Sequence, residues 1–133
     1  MNALLIGAAV IMQRNGWIQD DYFDADLYQP DVPCRVCPRA AIAIAAGQHP
    51  MFVASWPLRC AAPEPDEAEC ATYNEIKAAE GLLARYLREE LRYNDGGSLD
   101  GDMVEVWADE EQRTLPEILG VLHAAAEHSG RSA

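Results

Sequence analysis

Residues 37–47 form an almost charge-free run with the order Cys-Pro-Arg-Ala-Ala-Ile-Ala-Ile-Ala-Ala-Gly. Pro38 suits the first turn of a helix, where an amide hydrogen would lack a partner, and Gly47 suits the left-handed stop after the last turn. No charge follows Arg39, so the helix should be apolar on every side. A helix of this kind is buried all round. The run therefore predicts a central helix against which the other helices pack.

The apolar spacing near the N-terminus predicts a helix over residues 3–15. Asn2 can cap its start, and Asn15-Gly16 supplies its stop. Trp17 and Ile18 follow at once and are expected to fold back over the helix end. A signal peptide is the alternative for the apolar residues 3–12, but a basic segment in front and a convincing cleavage site behind are lacking. A buried first helix in a cytoplasmic protein is the favoured interpretation.

The last helix has a clear start. Thr114-Leu115-Pro116-Glu117 is a capping box, in which the threonine oxygen accepts from the Glu117 amide and the carboxylate reaches back. The apolar positions after it continue to about residue 128. Residues 129–133 are expected to form a disordered tail.

Residues 66–93 predict the longest helix, with Asp66 as its cap. Its apolar stripe has helical spacing and consists of Ile76, Leu83, Leu87 and Leu91. A break near residues 72–74 is an alternative, since Thr72 or Asn74 could cap a second helix. Arg85, Arg88 and Arg92 fall close to one face, as a solvated row with local ion pairs or as a patch for an acidic partner.

The connecting stretches are long and irregular. Residues 20–31 carry acids interleaved with aromatic residues, and residues 48–66 are rich in proline, which is typical of a surface loop. Within the second stretch, residues 51–54 could form a short extended piece. Residues 104–107 alternate between apolar and polar, as a short strand or the last turn of a helix would allow.

The pattern as a whole predicts a mostly α-helical fold. We expect a compact bundle of four or five helices around the buried Ala/Ile-rich central helix, with a long proline-rich loop and little or no sheet. At 133 residues the chain suits one domain, expected over residues 1–128.

The charge restricts the partners. Ten basic residues stand against 22 acidic ones, which gives a formal net charge of −12. Such a chain repels nucleic acid and anionic membranes. We therefore expect no direct binding to nucleic acid or membranes. The charge favours a basic protein partner, or mimicry of a nucleic-acid surface.

The cysteines leave three interpretations open. Cys34, Cys37, Cys60 and Cys70 could bind zinc, although structural zinc sites usually end in a second close pair of ligands. The Cys34-x-x-Cys37 pair could have a redox role or form a disulfide, although the strand and thioredoxin-like sheet that a redox motif needs are not visible, and Cys37 at a helix start could have a depressed pKa. The favoured interpretation is that they are structural thiols in a protein without a cofactor. No Ser-His-Asp set, phosphate loop or nucleophile elbow can be assembled, so no catalytic residue is proposed.

Several segments together resemble a small helical family of unknown function that is common in high-GC bacteria and their phages. The family pattern runs Gly-Trp, then Cys-x-x-Gly-Ala-Leu, then Trp-Asn-Asp-x-x-x-Arg-Thr-x-x-Glu-Val. The matching residues are Gly16-Trp17, Cys37 to Ile42, Trp107-Ala108-Asp109, Arg113-Thr114, and Glu117-Ile118-Leu119 with Leu122. This sequence departs from the pattern at Ala40, where the family has glycine, and at Ala108, where it has asparagine. The resemblance implies fold and size but no activity.

Trp107, Asp109 and Arg113 are the candidate binding residues, because they combine an aromatic wall with both charges. Asp109 and Arg113 are close enough in sequence to pair across the turn before the last helix, and Trp107 can cover that turn from the core side. The alternative is that these residues only fix where the last helix begins.

Three functions follow from these observations as hypotheses. The first is a small acidic, non-catalytic interaction or regulatory protein, related to phages or mobile elements. The second is a nucleic-acid mimic that inhibits a DNA-binding enzyme. The third is a zinc or thiol module, or a small enzyme, that uses the four cysteines.

Overall fold

A computed structural model of the chain describes residues 2–24, 34–56, 66–94 and 99–128, and these ranges contain five named α-helices. The helices are α1 (Ala3–Asn15), α2 (Pro38–Ala45), α3 (Glu67–Glu89), α4 (Asp100–Ala108) and α5 (Leu115–His128). Extended structure in the described ranges is limited to isolated bridges that join Val36 to Trp17 and to Phe23. The prediction of a mostly α-helical bundle with little or no sheet is confirmed.

Helix α2 lies at the centre, as its composition predicts. It contacts α1, α3 and α4, and Ala40, Ala41 and Ile42 have no exposed surface. Ile44 is partly exposed at the C-terminal end. The small side chains allow a close approach to α1, where a methyl group placed on Gly7 would lie 3.0 Å from Cβ of Ala45. Helix α1 in turn packs against α5, and α3 packs against α4 and α5.

The predicted helix starts are confirmed by their caps. Oδ1 of Asn2 accepts from the Leu5 amide at 3.0 Å, and Oδ1 of Asp66 accepts from the Ala68 amide at 2.8 Å. Oγ1 of Thr114 accepts from the Glu117 amide at 3.3 Å. The return bond of the capping box is absent, because the Glu117 carboxylate pairs with Arg113 instead.

The glycine stops are confirmed as well. Gly16 follows α1 with φ of 92°, and Gly47 follows the end of α2 with φ of 80°. Both angles are in the region that side chains other than glycine rarely adopt. Trp17, directly after the first stop, packs against the core.

The structure decides between alternatives that the sequence left open at three places. Helix α3 runs from Glu67 to Glu89 without a break near residues 72–74. Residues 51–54 form turns rather than an extended piece, because the Phe52 and Ser55 amides bond to carbonyls three and four residues earlier. Residues 104–107 belong to α4, a helix whose charged and small residues gave only an ambiguous pattern.

Some predictions fall outside the described residues. They concern residues 25–33 and 57–65 of the two long loops, the second of which includes Cys60, and the tail at 129–133. Among the described residues, none of the helices combines the length and the apolar character that a membrane crossing requires.

The central packing makes a testable prediction at Ile42. The substitution Ile42→Ala should lower the free energy of unfolding by about 2–5 kcal/mol, because it leaves a cavity in a fully enclosed site. The matched control is Val10→Ala on α1, where the side chain is 56% exposed and the change should be within about 0.5 kcal/mol. Urea unfolding measures both. Equal effects of the two substitutions would contradict the central position of α2.

Candidate functional site

The segment after α1 folds back along the start of α2. The Ile18 amide donates to the Val36 carbonyl at 3.2 Å, and the Val36 amide donates to the Gly16 carbonyl at 3.2 Å. Further along, the Cys37 amide donates to the Tyr22 carbonyl at 2.8 Å. These bonds fix Tyr22 beside Cys37, which is the N-cap residue of α2.

The same segment is tied to the C-terminal end of α4. Nε2 of Gln19 donates to the carbonyls of Ala108 and Glu110 at 3.1 and 2.8 Å. The Asp20 amide donates to Oδ1 of Asp109 at 3.0 Å. Carbonyls at a helix end lack partners within the helix, so Gln19 supplies the donor that this end needs. The result places the acids at positions 20 and 21 next to those of α4.

A pocket of about 100 Å³ lies where these elements meet. Its described lining consists of Asp20, Asp21, Tyr22, Cys37, Glu105, Ala108 and Asp109. Four of these residues are acids, and none of the described lining residues is basic. The pocket is therefore a concave site with a concentrated negative charge.

Asp109 is the carboxylate most affected by this crowding. Burial raises its pKa above the ordinary aspartate value, and the charges of Asp20, Glu105 and Asp21 raise it further. The hydrogen bond from the Asp20 amide opposes this rise only in part. A raised pKa means that Asp109 favours folding below its unfolded pKa and that this contribution is lost as the pH rises through the folded pKa. A cation in the pocket would compensate for that loss.

The two other reactive groups of the lining are held in their neutral forms. Burial raises the pKa of Tyr22, and its hydrogen bond with Glu105 adds to the rise. Burial raises the pKa of the Cys37 thiol to about 12, although the Ala40 amide donates to its sulfur at 3.4 Å. The phenol and the thiol are therefore hydrogen-bonding and packing groups at neutral pH, and the hypothesis of a depressed pKa at Cys37 is wrong.

A buried arginine stands behind the pocket wall. Nη1 of Arg39 donates to the Tyr22 hydroxyl at 2.7 Å and to Oε1 of Glu105 at 3.1 Å. Nε of Arg39 donates to Oε2 of Glu80 at 2.6 Å. The Arg39 side chain is only 9% exposed, and that of Glu80 is fully enclosed. Burial alone would lower the pKa of Arg39, but the charge and hydrogen bond of Glu80 outweigh it and raise the pKa.

The other oxygen of Glu80 is also satisfied. Nζ of Lys77 lies 2.8 Å from Oε1, one helical turn earlier on α3. The two cations and the carboxylate between them link α2 to α3, and Glu105 extends the link to α4. A buried carboxylate needs such partners, because an unpaired charge in the interior is strongly destabilising.

The sequence pattern does not predict this cluster of buried charges, although one residue indicates it. Glu80 occupies the apolar stripe of α3, four residues after Ile76 and three before Leu83. An acid on a buried face needs a buried cation. In the sequence, Arg39 stands out only as the last charged residue before the apolar run. Because its side chain is buried, the buried surface of α2 is less uniformly apolar than predicted.

The guanidinium of Arg39 needs room on α4, and Gly101 supplies it. A methyl group on Gly101 would lie 2.6 Å from Nη2 and 2.7 Å from Cζ of Arg39. Such distances are far below van der Waals contact. Because Glu80 and Glu105 hold the guanidinium on two sides, it has little freedom to move away.

The structure places the three predicted binding residues in different roles. Asp109 lines the pocket. Trp107 is only 2% exposed and belongs to the core. The guanidinium of Arg113 lies 4.5 Å from the centre of the Trp107 ring, and its Nε donates to the Trp107 carbonyl at 2.9 Å. Arg113 pairs with Glu110 and Glu117 and not with Asp109, so the predicted Asp109–Arg113 pair is wrong.

The structure describes three of the four cysteines that were candidate metal ligands. Cys34 and Cys37 are buried free thiols, and Cys70 is a partly exposed one on α3. The described residues contain no group of three or more His, Cys, Asp or Glu side chains arranged to hold a metal ion. Cys60 lies outside the described residues, so the zinc hypothesis for all four cysteines stays a prediction.

Fold and site together define a class: a mostly α-helical, strongly acidic protein with a small carboxylate-lined pocket supported by a buried ion pair. A family model described as a family of unknown function, DUF6197, matches residues 1–128. The chain belongs to this family. Comparisons with curated proteins and with solved structures gave no match.

The contact between Gly101 and Arg39 predicts a sharp cost for one added methyl group. The substitution Gly101→Ala should lower the free energy of unfolding by about 1–3 kcal/mol, because the held guanidinium has to shift. Gly120→Ala on α5 is the matched control, since a methyl group there meets nothing within 4 Å. Alanine is the better helix former, so this control should be neutral or stabilising by up to about 1 kcal/mol. Stabilisation by both substitutions would contradict the fixed guanidinium.

The burial of Cys37 predicts a large difference in thiol reactivity. In the folded protein Cys70 should be labelled by a thiol reagent much faster than Cys37, because Cys70 is partly exposed and the Cys37 thiolate is suppressed. Timed labelling followed by peptide mass mapping measures each site separately. Labelling of the protein unfolded in denaturant gives the reference rate for each cysteine. Equal labelling rates of Cys37 and Cys70 in the folded protein would contradict the buried position of Cys37.

Proposed function

We propose that the protein is a small acidic interaction protein without catalysis, and that its pocket receives a cationic side chain, lysine or arginine, of a basic partner protein. The observation that carries this proposal is the described pocket lining, with four carboxylates and no basic residue. Crowded carboxylates repel one another, and a positive group between them removes that repulsion.

The distribution of basic residues supports a cation from outside the chain. Most basic side chains in the described part are already paired with carboxylates. The pairs are Arg35–Asp24, Arg39–Glu80, Lys77–Glu80, Arg85–Glu89, Arg88–Asp100 and Arg113–Glu117. Of the three arginines predicted to share one face, Arg85 forms a local ion pair on α3, Arg88 pairs with Asp100 at the start of α4, and Arg92 lies beyond the end of α3. A net charge of −12 remains and favours fast association with a basic surface.

The chemistry of the pocket supports binding rather than reaction. The Tyr22 phenol and the Cys37 thiol both have raised pKa values, so neither acts as a nucleophile or base at neutral pH. The proposal places the protein in the cytoplasm. The proposed relation to phages or mobile elements rests on the family resemblance.

Hexalysine, a peptide that presents the proposed cationic group, tests this function. The protein should bind it saturably, and Asp109→Asn should weaken binding about fivefold or more, because one charged acceptor of the pocket is removed. Binding should also weaken with added salt. Isothermal titration calorimetry at low and physiological salt measures the dissociation constants, with hexaglutamate as the negative control.

A charge-matched variant separates the pocket from the general negative charge. Glu75 is exposed on α3 and does not line the pocket, so Glu75→Gln should change the dissociation constant by less than about twofold. Equal weakening by Asp109→Asn and Glu75→Gln would show that the pocket has no special role. Absence of saturable binding to the wild-type protein would overturn the proposed function.

A further inference from the structure

Arg39 contacts two residues of the pocket wall from the interior side. Its Nη1 reaches both the Tyr22 hydroxyl, at 2.7 Å, and the Glu105 carboxylate, at 3.1 Å. Tyr22 and Glu105 come from different segments, the loop after α1 and helix α4. One guanidinium nitrogen therefore joins the two sides of the wall.

The guanidinium itself is held from the opposite direction. Glu80 accepts from Nε at 2.6 Å and is fixed by Lys77 at 2.8 Å. Gly101 lies close to the guanidinium, since a methyl group at this position would come within 2.7 Å of Cζ and 2.6 Å of Nη2. The planar fork of arginine can bond on both sides at once, which the single ammonium of a lysine cannot reproduce in the same geometry.

We propose that Arg39 is the positioning residue of the acidic pocket: it fixes Tyr22 and Glu105 in the wall and offsets the charge of Glu105, and so leaves Asp109 as the main acceptor for the cation. This inference rests on the proposed function, because it concerns how the same pocket is set for its ligand. Arg39 and Lys77 face Glu80 and Glu105, and Asp102 lies 3.8 Å from Nη1 of Arg39. Within the described residues, no ion pair involves the other pocket acids, Asp20, Asp21 and Asp109.

The two possible roles of Arg39, as a positioning residue or as a positive charge alone, predict opposite changes in cation binding when Arg39 is replaced. If Arg39 acted only as a positive charge near the pocket, its removal would make the pocket more negative and strengthen cation binding. If Arg39 positions the wall, its removal weakens binding in spite of the more negative pocket. The sign of the change therefore distinguishes the two roles.

Two variants test this difference. Arg39→Lys keeps the charge and loses the fork. The double variant Arg39→Met with Glu80→Leu keeps the net charge of the chain and replaces the buried ion pair by apolar groups, a change that proteins often tolerate. Circular dichroism and thermal unfolding first establish that each variant folds, and the double variant carries the test if Arg39→Lys does not.

In the folded variants the dissociation constant for hexalysine should rise about five- to tenfold, the effect of losing an orienting hydrogen bond. A second measurement needs no ligand: the pKa of Asp109, followed by NMR, should rise further in the double variant, because the charge of Glu105 is no longer offset. Folded variants with unchanged or tighter hexalysine binding would overturn the positioning role of Arg39, and an unchanged Asp109 pKa would overturn its offset of the Glu105 charge.

The two measurements also separate the inference from the proposed function. If the wild-type protein does not bind hexalysine saturably, the proposed function fails, and the NMR titration alone then decides on Arg39. A rise in the Asp109 pKa supports the offset of the Glu105 charge by Arg39, and no change overturns that offset. If the wild-type protein binds and the variants bind equally well, the function stands and the positioning role fails.

Discussion

The buried ion pair between Arg39 and Glu80 connects the helices of the core to the acidic pocket. Both groups are removed from water, and their 2.6 Å contact joins α2 to α3 at the centre of the bundle. Two buried charges are costly unless each finds its partners. Lys77 satisfies the second oxygen of Glu80, while Tyr22 and Glu105 satisfy Nη1 of Arg39. The arrangement thereby prescribes how α4 and the loop after α1 dock.

The same ion pair connects the core to the pocket. Tyr22 and Glu105 both accept hydrogen bonds from the buried Arg39, and both also line the acidic pocket. Asp109 then stands among like charges, with a raised pKa that burial causes first and its neighbours increase. The fold thus holds four carboxylates close together in one pocket, which suits a cationic ligand. This is the physical basis of the proposed function.

Four of the five described helices could be predicted from the sequence because their signals are local, whereas the pattern of α4 was ambiguous. Asn2, Asp66 and Thr114 cap at the expected positions, and the glycines at 16 and 47 stop the helices that they follow. The pocket could not be predicted in this way, since its acids come from positions near 20 and near 105. Asp109 was a candidate, but its neighbours were not. The pairing of Arg39 with Glu80 spans 41 residues, and only the acid within the apolar stripe of α3 indicated it.

The most direct test of this arrangement is the exchange of the Arg39 Nε proton with water, measured by ¹⁵N NMR. Arg85 is the internal reference, because its Nε also donates to a carboxylate, that of Glu89, but both side chains are about half exposed. If Arg39 and Glu80 form the enclosed pair described above, the Arg39 proton exchanges far more slowly than the Arg85 proton. Equal exchange rates would show that Arg39 is open to solvent and would contradict the buried ion pair.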